Sequence, residues 1–387
     1  MTKICLSEFV STLTPLFTDL KRDELTNIYA QSCLMCTASE EEFAYIRSKD
    51  EIVKRTVFIF PRQNLFYISF KKKDLDHINR NLASIRQNKQ LRKILGTFAK
   101  IGFVRERGRT NTCTPMIRVN LYSRPAIEIK AKVTRLVHRE NILYPSQELV
   151  RQIDNEMKYR EDYNDDPNVP KLEYHGYYMG AHADETWLKH LEISELLRDL
   201  HRMIHTELVR FSQPQKFQIL YQIVNILNTL HADGIIHGDV KPENIYLRSE
   251  EEKNYLAKLG DFGHLAELHK LHETNGTEIY WSPEHILYAF TQHPNDRSAV
   301  SFPADIWCVG WIVVHLFNLK VPLWYHRQLD FIESPSESTY LEYQKALREF
   351  DALPYPSSGT IQEQILWYCW RANPNERIQT DGLLEIL

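Results

Sequence analysis

The stretch that decides the fold is His237-Gly238-Asp239-Val240-Lys241-Pro242-Glu243-Asn244. It follows a segment with helical spacing of apolar residues and precedes the strand-like pair Ile245 and Tyr246. Asp261-Phe262-Gly263 begins seventeen residues after Asn244, and Ser282-Pro283-Glu284 comes later. Each string alone is compatible with a solvated turn, because Asp, Gly, Pro and Asn are frequent turn formers. Together, in this order and at this spacing, the three strings predict a single functional site.

These segments resemble the catalytic loop, the metal-binding triplet and the end of the activation segment of eukaryotic-type serine/threonine protein kinases. The resemblance spans approximately residues 91–387 and is stronger in its second half. It implies an α+β, two-lobed protein-kinase fold, with a β-rich small lobe over residues 91–193 and a mainly helical large lobe over residues 194–387. Residues 1–90 are then an N-terminal extension of unknown role.

The family's chemistry gives each residue of the central stretch an expected role. Phosphoryl transfer needs a carboxylate near the acceptor hydroxyl, metal ligands near the phosphates and positive charge on the developing anion. The resemblance implies that Asp239 takes or orients the hydroxyl proton and that Lys241 lies near the transferred phosphoryl group of ATP. Asn244 and Asp261 would hold Mg²⁺, a hard cation that prefers oxygen ligands. Thr277 would hydrogen-bond near Asp239 and Lys241, which favours serine or threonine acceptors over tyrosine.

A second expected region is the loop that covers the phosphates of ATP. In the family it reads G-x-G-x-x-G-x-V, because glycine lets backbone amides approach the phosphates. Residues 95–104 occupy the corresponding place, with Gly96, Gly102 and Val104 matching and Ala99 at the middle glycine. The spacing is one residue longer than the family pattern, and outside the family context the segment reads as an ordinary strand pair.

The family also keeps a strand lysine that holds the α- and β-phosphates. Apolar residues alternate with charged ones from Ala126 to Val133, which predicts a strand. Lys130 matches the pattern Val-Ala-Ile-Lys except that Glu128 replaces alanine. Lys132 is the alternative, because periodicity places both lysines on one face of the strand.

Two further positions complete the expected nucleotide site. A helix is predicted over residues 147–164, and Glu156 is the residue expected to pin the lysine, with Glu148 and Glu161 as alternatives. A strand ending near Ile193 would lead to the connection between lobes. The resemblance implies that Glu192 and Ser194 offer backbone groups to adenine.

The large-lobe resemblance carries three structural expectations. Gly238 replaces the arginine that most family members use to pair with a phosphate on the activation segment, which implies activity that is not gated through that contact. Asp305 would bind the backbone of the catalytic loop. Glu284 and Arg377 would form a buried ion pair. Five apolar residues also form a helical stripe that we expect to be core: Phe217, Leu220, Tyr221, Val224 and Leu227.

Composition bounds the class of protein. The chain has 387 residues, of which 43% are apolar and 25% charged, with a formal net charge of −4, as in ordinary soluble globular proteins. This net charge indicates neither nucleic acid nor an anionic membrane as a global partner. The resemblance to protein kinases implies a protein substrate. No apolar run approaches the ~18 residues that span a bilayer, and no signal peptide is evident, so the expected location is the cytoplasm, with export by a route that uses no cleaved signal as the alternative. The sequence does not indicate the oligomeric state.

Smaller features have alternative interpretations. Cys33 and Cys36 form a single Cys-x-x-Cys pair; ordinary thiols are the default and a zinc site the alternative. The run at residues 71–73 is three lysines, interpreted as a solvated edge, with an acidic partner or phospholipid as the alternative. Two helical segments, interrupted at Pro15, and the strands near residues 56–60 and 65–70 predict an ordered extension.

Two other functions compete with an active protein kinase. An inactive family member that binds nucleotide or acts as a scaffold would account for the irregular glycine loop and the ambiguous lysine. The intact trio of Asp239, Asn244 and Asp261 argues against it. A kinase of a non-protein substrate is the third hypothesis. The Ser-Pro-Glu segment argues against it, because in the family this segment belongs to the platform for a peptide substrate.

Overall fold

A computed structural model describes residues 5–38, 44–46, 57–60, 63–81, 106–107, 111–120, 126–135, 147–182, 185–195, 197–249, 254–267, 276–291 and 301–387. The chain divides into two compact units, Met1–Leu149 with Leu172–Leu196, and Val150–Lys171 with Leu197–Leu387. The last division, between Leu196 and Leu197, falls three residues after the predicted one between residues 193 and 194. No division coincides with residue 90. None of the described helices is long and apolar enough to cross a membrane.

The first unit is built on one antiparallel sheet. Its helices are α1 (Leu6–Leu13), α2 (Arg22–Ala38) and α3 (Lys72–Arg80), and its strands are β1 (Ala44–Ile46), β2 (Val57–Phe60), β3 (Leu65–Ser69), β4 (Glu106–Arg107), β5 (Asn111–Asn120), β6 (Ala126–Arg135), β7 (Leu172–His182) and β8 (Glu185–Glu195). The strand order is β1-β2-β3-β5-β6-β8-β7, with β4 paired to β5. Because β3 pairs with β5, with Phe66 opposite Val119, the strands of residues 1–90 continue the sheet of the later residues.

The helices of this unit pack against the sheet. Helix α1 ends at Leu13 and a short 3-10 turn carries Pro15, as the proline predicts. Phe9 lies 5.7 Å from Phe66, ring centre to ring centre, in a shared apolar core. In the lysine run, the Nζ atoms of Lys71 and Lys73 lie 3.0 and 2.7 Å from Asp19 Oδ2, so part of its charge is neutralised within the unit.

The second unit is mainly helical. It contains most of α4 (Gln147–Asp162), followed by α5 (Leu200–His205), α6 (Gln213–Ala232), α7 (Pro283–Thr291), α8 (Phe302–Phe317), α9 (Leu323–Glu333), α10 (Glu337–Asp351), α11 (Ile361–Cys369) and α12 (Thr380–Ile386). Its short strands are β9 (Arg198–Asp199), β10 (Ile235–Ile236), β11 (Ile245–Ser249), β12 (Tyr255–Leu259) and β13 (Ala266–Glu267). They form a β12-β11-β9 sheet and a β10-β13 pair.

Helix α6 leads the chain towards the central stretch. Ser212 caps its first turn in a reciprocal capping box with Gln215, and Gly234, at φ +77°, follows its end. Its buried residues include Leu220, Val224 and Leu227 of the predicted stripe. Tyr221 is 47% exposed, so the prediction that it is core is wrong. Position 221 follows Leu220 by one residue, a step of 100° that turns the side chain off the buried face.

Candidate active site

A hairpin brings the two expected metal ligands to one place. Strands β11 and β12 pair antiparallel, with Ile245 opposite Leu259. Asn244 immediately precedes β11, and Gly260 N donates to Asn244 O at 2.9 Å. Asp261 is the next residue, so the pairing closes the gap in sequence between the two ligands.

Asp239 lies at the centre of a hydrogen-bonded cluster and is 4% exposed. Its Oδ1 accepts from the backbone N and the Oγ1 of Thr277 at 3.0 and 2.9 Å. Its Oδ2 accepts from Lys241 Nζ at 2.5 Å and from Asn244 Nδ2 at 3.0 Å. Lys241 Nζ also donates to Thr277 Oγ1 at 2.6 Å. The structure thus brings together Asp239, Lys241, Asn244 and Thr277, and the predicted contacts of Thr277 are confirmed.

Asp305, from α8, anchors the backbone just before this cluster. Its two carboxylate oxygens accept from His237 N at 2.8 Å and Gly238 N at 2.9 Å, which confirms the predicted contact. The ring of His231 lies 3.0 Å from Oδ2. Burial alone raises the pKa of the Asp305 carboxyl, but the hydrogen bond and charge of His231, with smaller contributions from His237 and Gly238, outweigh it, so that the pKa lies below its usual value.

Gly238 occupies a backbone position that excludes a side chain. Its φ is +78°, and a Cβ built there would lie 2.7 Å from the carbonyl oxygen of His264. Gly276 makes a similar approach at φ +103°, where a Cβ would lie 2.7 Å from Gly238 O. Gly276 therefore lets the segment carrying Thr277 meet the loop carrying Asp239 backbone to backbone, and Gly238 lets that loop meet the backbone of His264.

His237 supports the Asp-Phe-Gly turn from the interior. It is fully buried, and its ring centre lies 5.5 Å from that of Phe262. Burial lowers the pKa of His237, against the raising effect of nearby carboxylates, so the imidazole is neutral near pH 7. Its Nε2 lies 3.2 Å from Gly260 O, and Asp239 N donates to its Nδ1 at 3.3 Å. Both contacts fit the tautomer with the proton on Nε2.

The residues expected to hold Mg²⁺ have suitable donor atoms. Both hydrogen bonds of the Asn244 side chain, to the backbone and side chain of Asp239, come from Nδ2, which leaves its oxygen as a ligand. Asp261 adds a carboxylate and adopts φ +62°, a left-handed conformation that few residues other than glycine take. Two oxygen-bearing side chains fit Mg²⁺, which usually completes its shell with phosphate and water. Among the described residues, no group of three or more His, Cys, Asp and Glu could hold a metal.

The predicted phosphate-covering residues, Gly96, Gly102 and Val104, lie outside the described residues. The same holds for the side chains of Lys130 and Lys132, whose backbone lies in β6. In the pairing of β6 with β8, Lys130 is opposite Ser194 and Lys132 is opposite Glu192. The choice between the two lysines therefore stays open.

Glu192 lies inside β8, and Ser194 is the last residue but one of this strand. Glu192 pairs with positions in both β6 and β7, and so does Ser194. In a central strand the N–H and C=O groups point to the neighbouring strands. This placement argues against the expectation that the two residues offer free backbone groups to adenine. Their side chains are buried, and Ser194 Oγ donates to Glu192 Oε1 at 3.1 Å.

Glu156 lies on the buried face of α4 beside the Asp-Phe-Gly turn. It is 6% exposed, and a Cβ built on Gly263 would lie 3.7 Å from its Oε2 and 3.8 Å from Asp261 Oδ1. Glu161, one of the alternatives, is exposed near the end of the helix. The geometry therefore favours Glu156 over Glu161 as the glutamate of the site.

The predicted pair of Glu284 and Arg377 is confirmed as a structural element below the site. Arg377 donates to both carboxylate oxygens of Glu284, at 2.6 and 2.7 Å, and its side chain is fully buried. Its remaining donors bond carbonyl oxygens, among them Pro303 O at 2.9 Å. The guanidinium carbon lies 5.0 Å from the centre of the Trp307 ring. The charge is thus both paired and solvated by protein groups.

Comparison with known proteins agrees with this geometry. Residues 137–386 match the family model described as "Protein kinase domain", which is more than half of the chain. The chain belongs to the protein kinase family. The match confirms the predicted α+β protein-kinase fold class.

Relatives of this kinase-family chain are 25–31% identical to it over the aligned segments. The phosphorylase b kinase gamma catalytic chain, liver/testis isoform, of Rattus norvegicus is 30% identical over 184 residues, 46% of this chain and 41% of the relative. Serine/threonine-protein kinase 1 of African swine fever virus is 25% identical over 235 residues, 59% of this chain and 66% of the relative. Aurora kinase B of Drosophila melanogaster is 31% identical over 150 residues, 38% of each protein. The chain spans about two fifths of the length of the rat relative.

Sequence reasoning missed two groups beside the site. Glu243, within the central stretch, lies with both carboxylate oxygens 3.4 Å from Tyr280 OH. Gln328, on α9, reaches the backbone after Thr277. A proline-flanked acidic residue signals little by itself, and a glutamine in a helix carries no motif, so neither contact has a signal in the sequence.

Proposed function

We propose that this protein is an active kinase that transfers the γ-phosphate of ATP to serine or threonine hydroxyls of proteins, with Mg²⁺. The observation that carries the proposal is the cluster in which Lys241 and Thr277 converge on the two oxygens of Asp239. An inactive family member has no need of such a cluster, and each member of it contributes to the chemistry of transfer.

Asp239 is the group that receives the acceptor's proton. In the step, the hydroxyl oxygen bonds to the γ-phosphorus while the bond from phosphorus to the bridging oxygen breaks. ADP keeps the bonding electron pair, and the hydroxyl proton passes to the Asp239 carboxylate. Thr277 and Asn244 hold that carboxylate in place by hydrogen bonds to its two oxygens.

Lys241 supplies positive charge next to the carboxylate. Its Nζ is fixed between Asp239 Oδ2 and Thr277 Oγ1, and the side chain is 16% exposed, so it is screened less than a surface lysine. A fixed cation at this place stabilises the charge that develops on the transferred phosphoryl group. Mg²⁺, when bound through Asn244 and Asp261, supplies further charge against the phosphates.

Serine or threonine as acceptor is supported by the pairing of Lys241 with Thr277 and by the viral relative's name, a serine/threonine-protein kinase. The competing interpretation, a nucleotide-binding scaffold, is not favoured, because Asp239, Lys241, Asn244 and Thr277 form one hydrogen-bonded cluster. Protein rather than small-molecule substrates are supported by the family match.

The test is transfer from γ-labelled ATP with Mg²⁺ to a generic basic protein. Wild type is compared with Asp239→Asn and Asp261→Asn, and Asp330→Asn on α9 is the matched control, because this carboxylate is exposed and pairs only with Arg327 among the described residues. We expect transfer by wild type and control, loss of at least about a hundredfold in both site variants, and label on phosphoserine or phosphothreonine. Nucleotide binding by wild type without transfer to protein, or label on tyrosine alone, would contradict the proposal.

A further inference from the structure

The short turn after Thr277 is held from beneath by side chains of two other helices. This turn, Glu278–Trp281, begins as a 3-10 helix. Gln328 Nε2 of α9 lies 3.2, 3.5 and 3.2 Å from the carbonyl oxygens of Glu278, Ile279 and Trp281. The remaining carbonyl, that of Tyr280, faces the thiol of Cys308 on α8 at 3.5 Å. Every carbonyl of the turn therefore meets a side-chain donor.

Gln328 is suited to this contact and to little else. It is fully buried, and three carbonyl oxygens can only face the NH₂ end of its amide, which fixes the orientation of the group. Its Oε1 then lies buried with no hydrogen-bond partner in the part of the chain that the structure describes. Such an orphaned acceptor costs stability, a cost that an apolar side chain of the same shape would not carry. What distinguishes glutamine from methionine here is its donor.

The turn is connected rigidly to the reacting groups. Tyr280 N donates to Thr277 O at 2.8 Å, which ties the turn to the threonine. Thr277 in turn bonds Asp239 through both its backbone N and its hydroxyl. A displacement of the turn would therefore move Thr277 away from Asp239 and Lys241.

We propose that Gln328 is a positioning residue for phosphoryl transfer: it holds the Glu278–Trp281 turn so that Thr277 keeps its geometry beside Asp239 and Lys241. The inference rests on the proposed function. Gln328 acts through the turn and touches neither ATP nor the reacting hydroxyl. The two N–H donors of Gln328 hold this turn from α9. The arginine that most family members use to hold the activation segment from the catalytic loop is replaced here by Gly238, which has no side chain.

The direct test replaces the amide by groups of the same shape. Gln328→Met removes the donors and fills the volume, and Gln328→Glu sets a carboxylate against three carbonyls. The matched control is Gln344→Met on α10, whose amide donates to Tyr340 OH at 2.8 Å, away from the turn. We expect kcat/KM for a peptide substrate to fall at least about tenfold in both Gln328 variants, with the KM for ATP unchanged, and no change in the control.

A pH profile separates positioning from packing. Protonated glutamic acid donates one hydrogen bond, and carbonyl oxygens around a buried carboxyl raise its pKa. The activity of Gln328→Glu relative to wild type should therefore rise as the pH falls from 8 towards 5.5, whereas that of Gln328→Met should stay constant. A flat ratio for Gln328→Glu would overturn the role of the donor.

Hydrogen exchange provides a readout that does not depend on catalysis. The amides of residues 278–281 should exchange faster in Gln328→Met than in wild type. Their exchange rates in the control, Gln344→Met, should equal those of wild type. If wild type transfers no phosphate, the proposed function fails while exchange still decides whether Gln328 holds the turn. Wild-type exchange, or wild-type kcat/KM, in folded Gln328→Met overturns the proposal. If that variant does not fold, Gln328→Asn, which keeps a donor on a shorter side chain, should show an intermediate loss; wild-type values would again overturn it.

Discussion

Replacing Asp305 by asparagine should loosen the whole catalytic loop. The substitution keeps the shape of the side chain but exchanges one of its two acceptor oxygens for an NH₂ donor. In the wild type, each oxygen accepts from one backbone N–H, of His237 or Gly238. Asparagine can keep one of these bonds, and its NH₂ group faces the other N–H donor.

The magnitude follows from these contacts. A lost hydrogen bond to a charged acceptor is worth about 1.5–3 kcal/mol, and a buried N–H left without a partner costs about 1–3 kcal/mol more. Because the two terms overlap, we expect the free energy of unfolding to fall by about 3–5 kcal/mol. For a unit of this size, that corresponds to a fall in Tm of roughly 6–20 °C. One of the two loop amides, of His237 or Gly238, loses its acceptor and the loop that carries Asp239 is less firmly held, so kcat should fall about ten- to a hundredfold.

Two assays check this prediction. Thermal unfolding gives the stability change, and transfer from labelled ATP at a temperature where both proteins are folded gives kcat. Asp330→Asn, an exposed aspartate on α9, is the control and should change neither quantity measurably. A loss of stability below about 1 kcal/mol together with wild-type kcat would refute the idea that Asp305 holds the loop.

Three further results are expected. Gly238→Ala should lower the free energy of unfolding by about 1–2 kcal/mol because of the positive φ, and further because the new Cβ would lie 2.7 Å from His264 O. The measurement is Tm, which should fall; an unchanged Tm would contradict the backbone argument. Burial lowers the pKa of His285 to about 4, so between pH 6.5 and 4 the unfolded chain binds a proton that the folded protein does not, and the free energy of unfolding should fall by about 3 kcal/mol over this range. When the free energy of unfolding is measured by denaturant titration at several pH values, it should depend less on pH in His285→Gln than in wild type. Glu284→Gln should lower the free energy of unfolding by about 3–5 kcal/mol, because Arg377 stays buried and charged. Adding Arg377→Met should recover part of this loss. Strictly additive effects in this double-mutant cycle would show that the two residues do not interact.

Much of the catalytic centre could be predicted from sequence because its residues are close along the chain. Asp239, Lys241 and Asn244 lie within six residues, so a short loop must hold them together whatever surrounds it. Thr277 is more distant, yet its contacts with Asp239 followed from the family pattern. The family pattern also identified Asp305, whose carboxylate accepts from the backbone of the catalytic loop.

The predictions were weaker where the outcome depends on strand pairing. Glu192 and Ser194 were expected to present free backbone groups, but the register places both inside a strand with neighbours on each side. Alternation alone shows which residues share a face and says nothing about where a strand ends. Residues 1–90 had no recognisable motif, yet Phe66 and its strand pair with β5, a contact between distant segments that no local pattern encodes.

Gln328 shows a third limit. Its position on α9 is separated from the turn it contacts by more than forty residues, and an isolated glutamine carries no period or motif. Gly238 could be recognised as the absence of an arginine, but only the structure shows that the backbone there leaves no room for a Cβ. Contacts with backbone carbonyls, and positions with no room for a side chain, therefore could not be predicted from the sequence.

The central claim is that Asp239, held by Lys241, Asn244 and Thr277, accepts the proton of a protein hydroxyl during transfer from ATP. The most direct measurement is single-turnover transfer from γ-labelled ATP to a serine peptide by wild type and Asp239→Asn, with ATP binding measured in parallel. Asparagine keeps the size of the group and cannot accept the proton. We expect the rate of transfer to fall by about a hundredfold or more with ATP affinity within a few-fold of wild type. Equal single-turnover rates in the two proteins would contradict the account.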